Sequence, residues 1–162
     1  MPTPADRRAN VLLVIAGAGL LIGTLDLLDA IIYYGTLGVP PIKIPQSVAS
    51  GVLGRIAYGD GMVTAAFGVA LHFFIAFVIA AVYILASRSL PLSRRPILSG
   101  AAYGICVYFF MNYIVLPLSN VYPRPHFATG PFLNGIIGHI LLIGIPVALI
   151  ARRCVDCKKP LL

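Results

Sequence analysis

Two carboxylates, Asp26 and Asp29, and two imidazoles, His72 and His139, sit inside long apolar stretches of this 162-residue chain. An ionisable group in hydrocarbon costs about 2.5–3.5 kcal/mol on insertion scales, so each is a candidate for ligand, ion or proton chemistry. Asn112, Tyr113 and Asn134 add uncharged hydrogen-bonding groups to the same stretches. Asp26 and Asp29 are three residues apart and share one face of a helix. A less demanding use of the same residues is to bond neighbouring membrane helices to one another, at about 0.6 kcal/mol per bond. Two histidines on different helices also allow axial ligation of a b-type haem, and nearby carboxylates could complete a transition-metal site. Gly68, Gly135 and Gly138 beside them would leave room for such a group, although glycines there equally serve close helix packing. With one such pair and no C-x-x-C-H signature, no cofactor is required.

The remaining reactive residues say less. Cys154 and Cys157 form a C-x-x-C pair, half of a tetrahedral zinc site, and the chain has no second pair to complete it. Cys106 reads as a small apolar filler in a helix. Signatures of hydrolases, metalloproteases and nucleotide-binding loops are absent from the sequence. The chain also has no glutamate, a common general acid or base, so no enzyme activity is expected.

These residues are positioned by spans. The composition is 59% hydrophobic and 10% charged, with a mean hydropathy of +0.95, where soluble domains carry about 25% charge. That excludes an ordinary soluble domain. A helix crossing a bilayer needs about 20 largely apolar residues, and four segments qualify: 11–34, 62–86, 96–116 and 131–151. The expected fold is an all-α, four-transmembrane-helix bundle forming one domain over 1–162, with a cytoplasmic tail at 152–162. The short link between the second and third spans predicts that these two form an antiparallel hairpin. Gly19 and Gly23, and Gly100 and Gly104, are G-x-x-x-G pairs, which let helix backbones approach closely. They can serve packing within the bundle or a homodimer or larger membrane complex.

Between the first two spans, after Pro40, Pro41 and Pro45, apolar residues recur at Val48, Ala49, Val52, Leu53, Ile56 and Ala57. This pattern predicts a short amphipathic helix over 46–58, with Ser47, Ser50, Gly51, Gly54 and Arg55 on its polar face. Such a helix can lie in the membrane interface, or it can cover a cavity between the spans.

Charge sets the orientation. One side of the bundle carries nine basic residues (Arg7, Arg8, Arg88, Arg94, Arg95, Arg152, Arg153, Lys158 and Lys159), while the other carries three, Lys43, Arg55 and Arg124. The positive-inside rule then places both termini in the cytoplasm and the short helix outside. The basic blocks suit anionic lipid head groups. No aromatics interleave them to stack bases, so the net charge of +7 does not indicate nucleic acid. With 1.5 Å rise per residue, His72 and His139 lie about 3 Å outward of mid-span, Asp26 about 6 Å, and Asp29, Asn112 and Asn134 about 10 Å. All four helices thus send polar groups into one half of the bilayer, a pattern that predicts a polar pocket open on that side.

Segments 46–54 (QSVASGVLG), 71–76 (LHFFIA), 100–104 (GAAYG) and 111–118 (MNYIVLPL), with Val82-Tyr83 and Ala86-Ser87-Arg88, mark a resemblance that spans nearly the whole chain. In these the sequence resembles a widespread group of short four-helix bacterial inner-membrane proteins. That group is distantly similar to the YagU-like inner-membrane proteins, which share the His of the second span and the Gly-His of the last. The resemblance implies the four-helix fold and the bacterial inner membrane, and it brings no substrate, cofactor or site residue with it.

Two functions follow. One is binding or transport of a small molecule, ion or proton through Asp26, Asp29, His72, Asn112, Asn134 and His139. The other is a structural or accessory role in which these residues only join helices. Imidazoles facing carboxylates respond to mild acid, so the first function predicts a change in stability or activity between about pH 5 and 7.5. Apolar replacement of both His72 and His139 should abolish that change. A doubly substituted protein that keeps the wild-type pH profile would favour the accessory role.

Overall fold

A computed structural model describes residues 4–123 and 127–156, with side chains from 11 to 123 and from 127 to 153. Its described residues are helical throughout, joined by turns. Helix α1 runs Pro4–Thr36, α2 Lys43–Leu53 with a 3-10 extension Gly54–Tyr58, and α3 Gly61–Ala86. After a 3-10 turn at Pro91–Arg94, α4 runs Pro96–Phe110 and continues through a π turn, Met111–Val115, to Leu116–Leu118. The last helix, α5, comprises Thr129–Gly138, a π turn His139–Gly144, and Ile145–Asp156. Four stretches are long and apolar enough to cross a membrane: Val11–Thr36, Gly61–Ala86, Pro96–Leu118 and Thr129–Arg153. Large apolar side chains such as Leu13, Phe74, Ile97 and Leu141 are exposed around all four, as a multi-pass membrane protein requires.

Local chemistry explains the ends. α1 stops before Gly38, which turns the chain at φ +82°, and Pro40-Pro41 follows. α4 opens on Pro96, whose missing N–H is not needed in a first turn. Both π turns end two residues before a proline, at Pro117 and Pro146. A proline inside a helix removes one hydrogen bond and crowds the carbonyl four residues earlier. Widening the preceding turn to i→i+5 bonding accommodates that carbonyl, so these prolines account for the π turns.

Glycines decide which helices touch. A Cβ at Gly19 would strike Phe77, and one at Gly23 would strike Phe73 and Ala76, so α1 lies close on α3. Gly100 and Gly104 meet the backbone of α5 at Gly144, Ile145, His139 and Ile140. Both G-x-x-x-G pairs are therefore used within the chain, and neither is left for a second copy. α1 also packs along α5 and thereby joins the two pairs.

The expected antiparallel hairpin of α3 and α4 is held by side chains near its link and opens away from it. α3 and α4 are consecutive, but their backbones barely meet, because the glycine face of α4 turns to α5. Tyrosines bridge the gap near the 87–95 link. Tyr83 shares a hydrogen bond with Ser99 Oγ (2.8 Å), Tyr103 donates to the Ile79 carbonyl (2.7 Å), and the two rings meet edge-on. Here small residues (Ala18, Ala76, Ala80, Val147, Ala148, Ala151) make a dense core. Toward the α2 end, α3 and α4 stand apart.

α2 starts three residues earlier than its sequence pattern predicts, and the face it buries mixes Ala49 with the polar Gln46 and Ser50. Ser50 is fully buried, accepts a hydrogen bond from the Tyr122 backbone N–H (3.2 Å) and donates to the Ser47 carbonyl. Val52, Leu53 and Ile56 are exposed. The polar groups turn inward because the partner at that place is the backbone of residues 119–122, which offers hydrogen bonds. Asn120 N–H bonds the Gly51 carbonyl (2.9 Å), and Asn120 Nδ2 donates to the Val52 carbonyl (3.2 Å). On its other side α2 rests on α3, where Gly68 lies directly beneath the Pro45 carbonyl.

Gly68→Ala is expected to cost about 3 kcal/mol, the upper end for overpacking, because the obstacle is backbone and does not move aside. Gly17 has open space around its Cβ position, so Gly17→Ala should be neutral or stabilising by about 0.5–1 kcal/mol. Equilibrium unfolding of both variants in detergent checks the contrast. Equal stability of the two would contradict the close seating of α2.

Candidate functional site

The space left between α3 and α4 is a cavity of about 680 Å³, bounded by α1 and α5 and roofed by α2 with residues 121–123. Four of the six candidate residues line it: Asp26 from α1, His72 from α3, Asn112 from α4 and His139 from α5. Asn112 lies within the π turn of α4, and His139 opens that of α5. The prolines that widen these turns thus shape the helix at the points where polar side chains meet the cavity.

The other two candidates form a pair of their own. Asn134 Nδ2 donates to Asp29 Oδ2 at 2.9 Å, tying α5 to α1. The carboxylate lies against Gly138, where a Cβ would come within 3.2 Å of the same oxygen. Neither residue lines the cavity. Asp26 and Asp29 share a helix and differ in role, since Asp26 faces the cavity and Asp29 holds two helices together.

Each histidine also makes a backbone bond. His72 Nε2–H donates to the Gly23 carbonyl at 2.8 Å, joining α3 to α1 at the glycine where they approach. His139 Nδ1–H donates to the Gly135 carbonyl one turn earlier at 2.9 Å, with Asp26 Oδ1 at 4.0 Å from the same nitrogen. The ring edge of His139 also meets Tyr108, with centroids 5.3 Å apart. Asn112 Nδ2 donates to the Tyr108 carbonyl (2.9 Å).

For cofactors, the pattern is one of dispersed rather than convergent ligands. Among the described residues no three His, Cys, Asp or Glu side chains form a group able to hold a metal. Nε2 of His72, the usual haem-ligating atom, is committed to Gly23. Cys157 lies outside the described residues, as does the side chain of Cys154. Two further expectations change. Cys106 is exposed on the outside of α4 instead of filling its core. Tyr113 is 62% exposed beside it and takes no part in the polar set.

Several cavity residues carry no ionisable group in a span and so escape the depth argument. Lys43, Ser47, Tyr58 and Tyr122 line the roof. The Lys43 ammonium stands over the Tyr58 ring at 5.1 Å, and Arg55 over Tyr122 at 5.0 Å. A sequence signal for them exists, since tyrosines at span ends favour the membrane interface. Gln46 is a further residue that depth does not find. It is almost fully buried under α2 and donates to the Gly61 carbonyl (3.0 Å) and Thr64 Oγ1 (3.3 Å). Its Oε1 has no hydrogen-bond partner among the described residues.

Asn134→Leu should destabilise the protein by about 1–3 kcal/mol, because Asp29 then loses its donor. A double-mutant cycle with Asp29→Ala should return a coupling of about 0.6–1.7 kcal/mol, the range of hydrogen bonds between membrane helices. Additive effects would contradict the pairing.

Compared with known proteins, the chain matches no family model, no curated protein and no solved structure.

Proposed function

We propose that the chain is a multi-pass protein of the bacterial inner membrane that binds a small molecule in the cavity beneath α2. The cavity carries this reading. About 680 Å³ falls within the 300–1,000 Å³ typical of small-molecule sites, which combine apolar walls with a few placed polar groups. Here Leu71, Ile75 and Val115 supply wall, and Asp26, His72, Asn112 and His139 supply the polar groups. Beyond Ile79 and Ile143, which close the cavity's far end, comes the alanine-rich core. The reading is therefore of binding rather than of conduction.

The distribution of basic residues supports cytoplasmic termini, with α2 and the cavity mouth on the extracytoplasmic face. Exposed Val52, Leu53 and Ile56 suit contact of α2 with the lipid interface there. At the opposite end Arg88, Arg94, Arg95 and Arg153 suit anionic head groups. The accessory role has its own observation, the Asp29–Asn134 bond, which joins helices and touches no cavity.

Ala30 lines the cavity on α1. Ala30→Phe should place a ring across it without disturbing the alanine core. In a thermal-unfolding screen of small amphiphilic compounds, binders raise the midpoint of the form that binds them. The wild type should respond to a subset of compounds, and Ala30→Phe should keep its unliganded stability and lose those responses. Identical response profiles would favour the accessory role.

A further inference from the structure

The polar end of the cavity has largely spent its hydrogen-bond donors. His72, His139 and Asn112 each give an N–H to a backbone carbonyl, of Gly23, Gly135 and Tyr108 respectively. A carbonyl only accepts, so the nitrogen carries the proton in every case. Neutral imidazoles bonded in this way keep a lone pair, on Nδ1 of His72 and Nε2 of His139, while Asn112 keeps its carbonyl oxygen and one N–H. Asp26 adds two carboxylate oxygens. Among the described residues its contact with a basic group is the long ion pair to His139 Nδ1, at 4.0 Å and outside hydrogen-bond reach. Asp29, by contrast, has its donor in Asn134. The site therefore offers a surplus of acceptors, one of them charged and without a hydrogen bond of its own among the described residues.

The geometry points to an organic ammonium as the ligand, a protonated amine carrying an apolar body. Its charged head lies at Asp26 on the end of the cavity that holds the acceptors of His72, His139 and Asn112, and its body lies along Leu71, Ile75 and Val115. Each feature excludes a competitor. A carboxylate or phosphate placed there would meet acceptors and a like charge. The cation available to such an anion, Lys43, belongs to the roof and stands on Tyr58. A bare inorganic cation would leave the apolar walls and most of the 680 Å³ unused. A neutral apolar molecule would bury the Asp26 carboxylate without compensation. The assignment rests on the small-molecule reading above and gives that site its chemical class.

Aminoadamantane, adamantanol and adamantane carboxylate present one apolar body with a cationic, a neutral and an anionic head. Calorimetric titration of the purified full-length protein in detergent should give an amine affinity at least about tenfold above that of the alcohol, with the carboxylate weakest. Asp26→Asn keeps the shape and removes the charge, and should remove that tenfold advantage while leaving the alcohol unchanged. Asp29→Asn should leave amine affinity intact even where it lowers the unfolding midpoint. Amine affinity unchanged in Asp26→Asn, or a carboxylate that binds more tightly than the amine, overturns the assignment. Stabilisation by sodium or potassium alone that matches the amine's overturns the organic ligand. Equal binding of amine and alcohol, abolished by Ala30→Phe, overturns the charge preference and leaves the cavity reading standing. No binding of any isostere to the wild type overturns the ammonium assignment. If the wider compound screen also fails to separate the wild type from Ala30→Phe, the cavity reading falls with it.

Discussion

Backbone contact at a few glycines is the constraint on which the rest of this structure depends. Gly19 and Gly23 bring α1 onto α3, and Gly100, Gly104 and Gly144 bring α4 onto α5. In a bilayer no hydrophobic effect drives one apolar helix onto another, so association relies on close packing and polar bonds. Once the two pairs are zipped in this way, α1 and α5 face each other across the middle, and α3 and α4 are left to the sides. Tyr83 and Tyr103 close their gap at one end. At the other end the gap is the cavity. The cavity is thus a consequence of which faces carry glycine, and α2 with residues 121–123 is the roof that covers it.

Polar placement follows from the same packing. His72 bonds the Gly23 carbonyl because the glycine has brought α1 within reach. Asp29 and Asn134 meet because Gly138 leaves room for the carboxylate. Pro117 and Pro146 then widen the turns that hold Asn112 and that begin at His139. Asp26 is the group for which the fold supplies no donor among the described residues, and it is the one whose charge faces the cavity.

Much of the fold is legible in the sequence because a membrane span is a one-dimensional signal of length and hydropathy. The four stretches lie within two residues of their expected bounds. Depth is equally one-dimensional, and it places Asp26, His72, Asn112 and His139 in one half of the bilayer without reference to any partner. Partners are a matter of azimuth, which neither depth nor an apolar period supplies. For that reason the sequence suggests the α3–α4 hairpin but not that it opens at one end, where the glycine face of α4 turns to α5. Tyr113 counts with the polar set by residue type although it points away from the bundle. Cys106 has the size for a core that it does not enter. On α2 the apolar stripe divides, with Ala49 and Ala57 buried and Val52, Leu53 and Ile56 exposed. The surface that receives Ser50 is itself polar backbone, so burial there follows hydrogen bonding rather than hydropathy. Both π turns have a signal, a proline within each helical run, that a count of apolar residues passes over.

Neighbouring residues on one helix provide the most direct test of a water-accessible cavity between α3 and α4. Val115 lines the cavity, whereas Ile114 is exposed on the outside of α4, where lipid would cover it. In a chain whose native cysteines have been replaced, Val115→Cys and Ile114→Cys would be treated in intact cells with a small cationic thiosulfonate that does not cross membranes. Val115→Cys is expected to be modified from the extracytoplasmic side, and Ile114→Cys is not. Modification of neither, or of Ile114→Cys in preference to Val115→Cys, would contradict the cavity and its orientation.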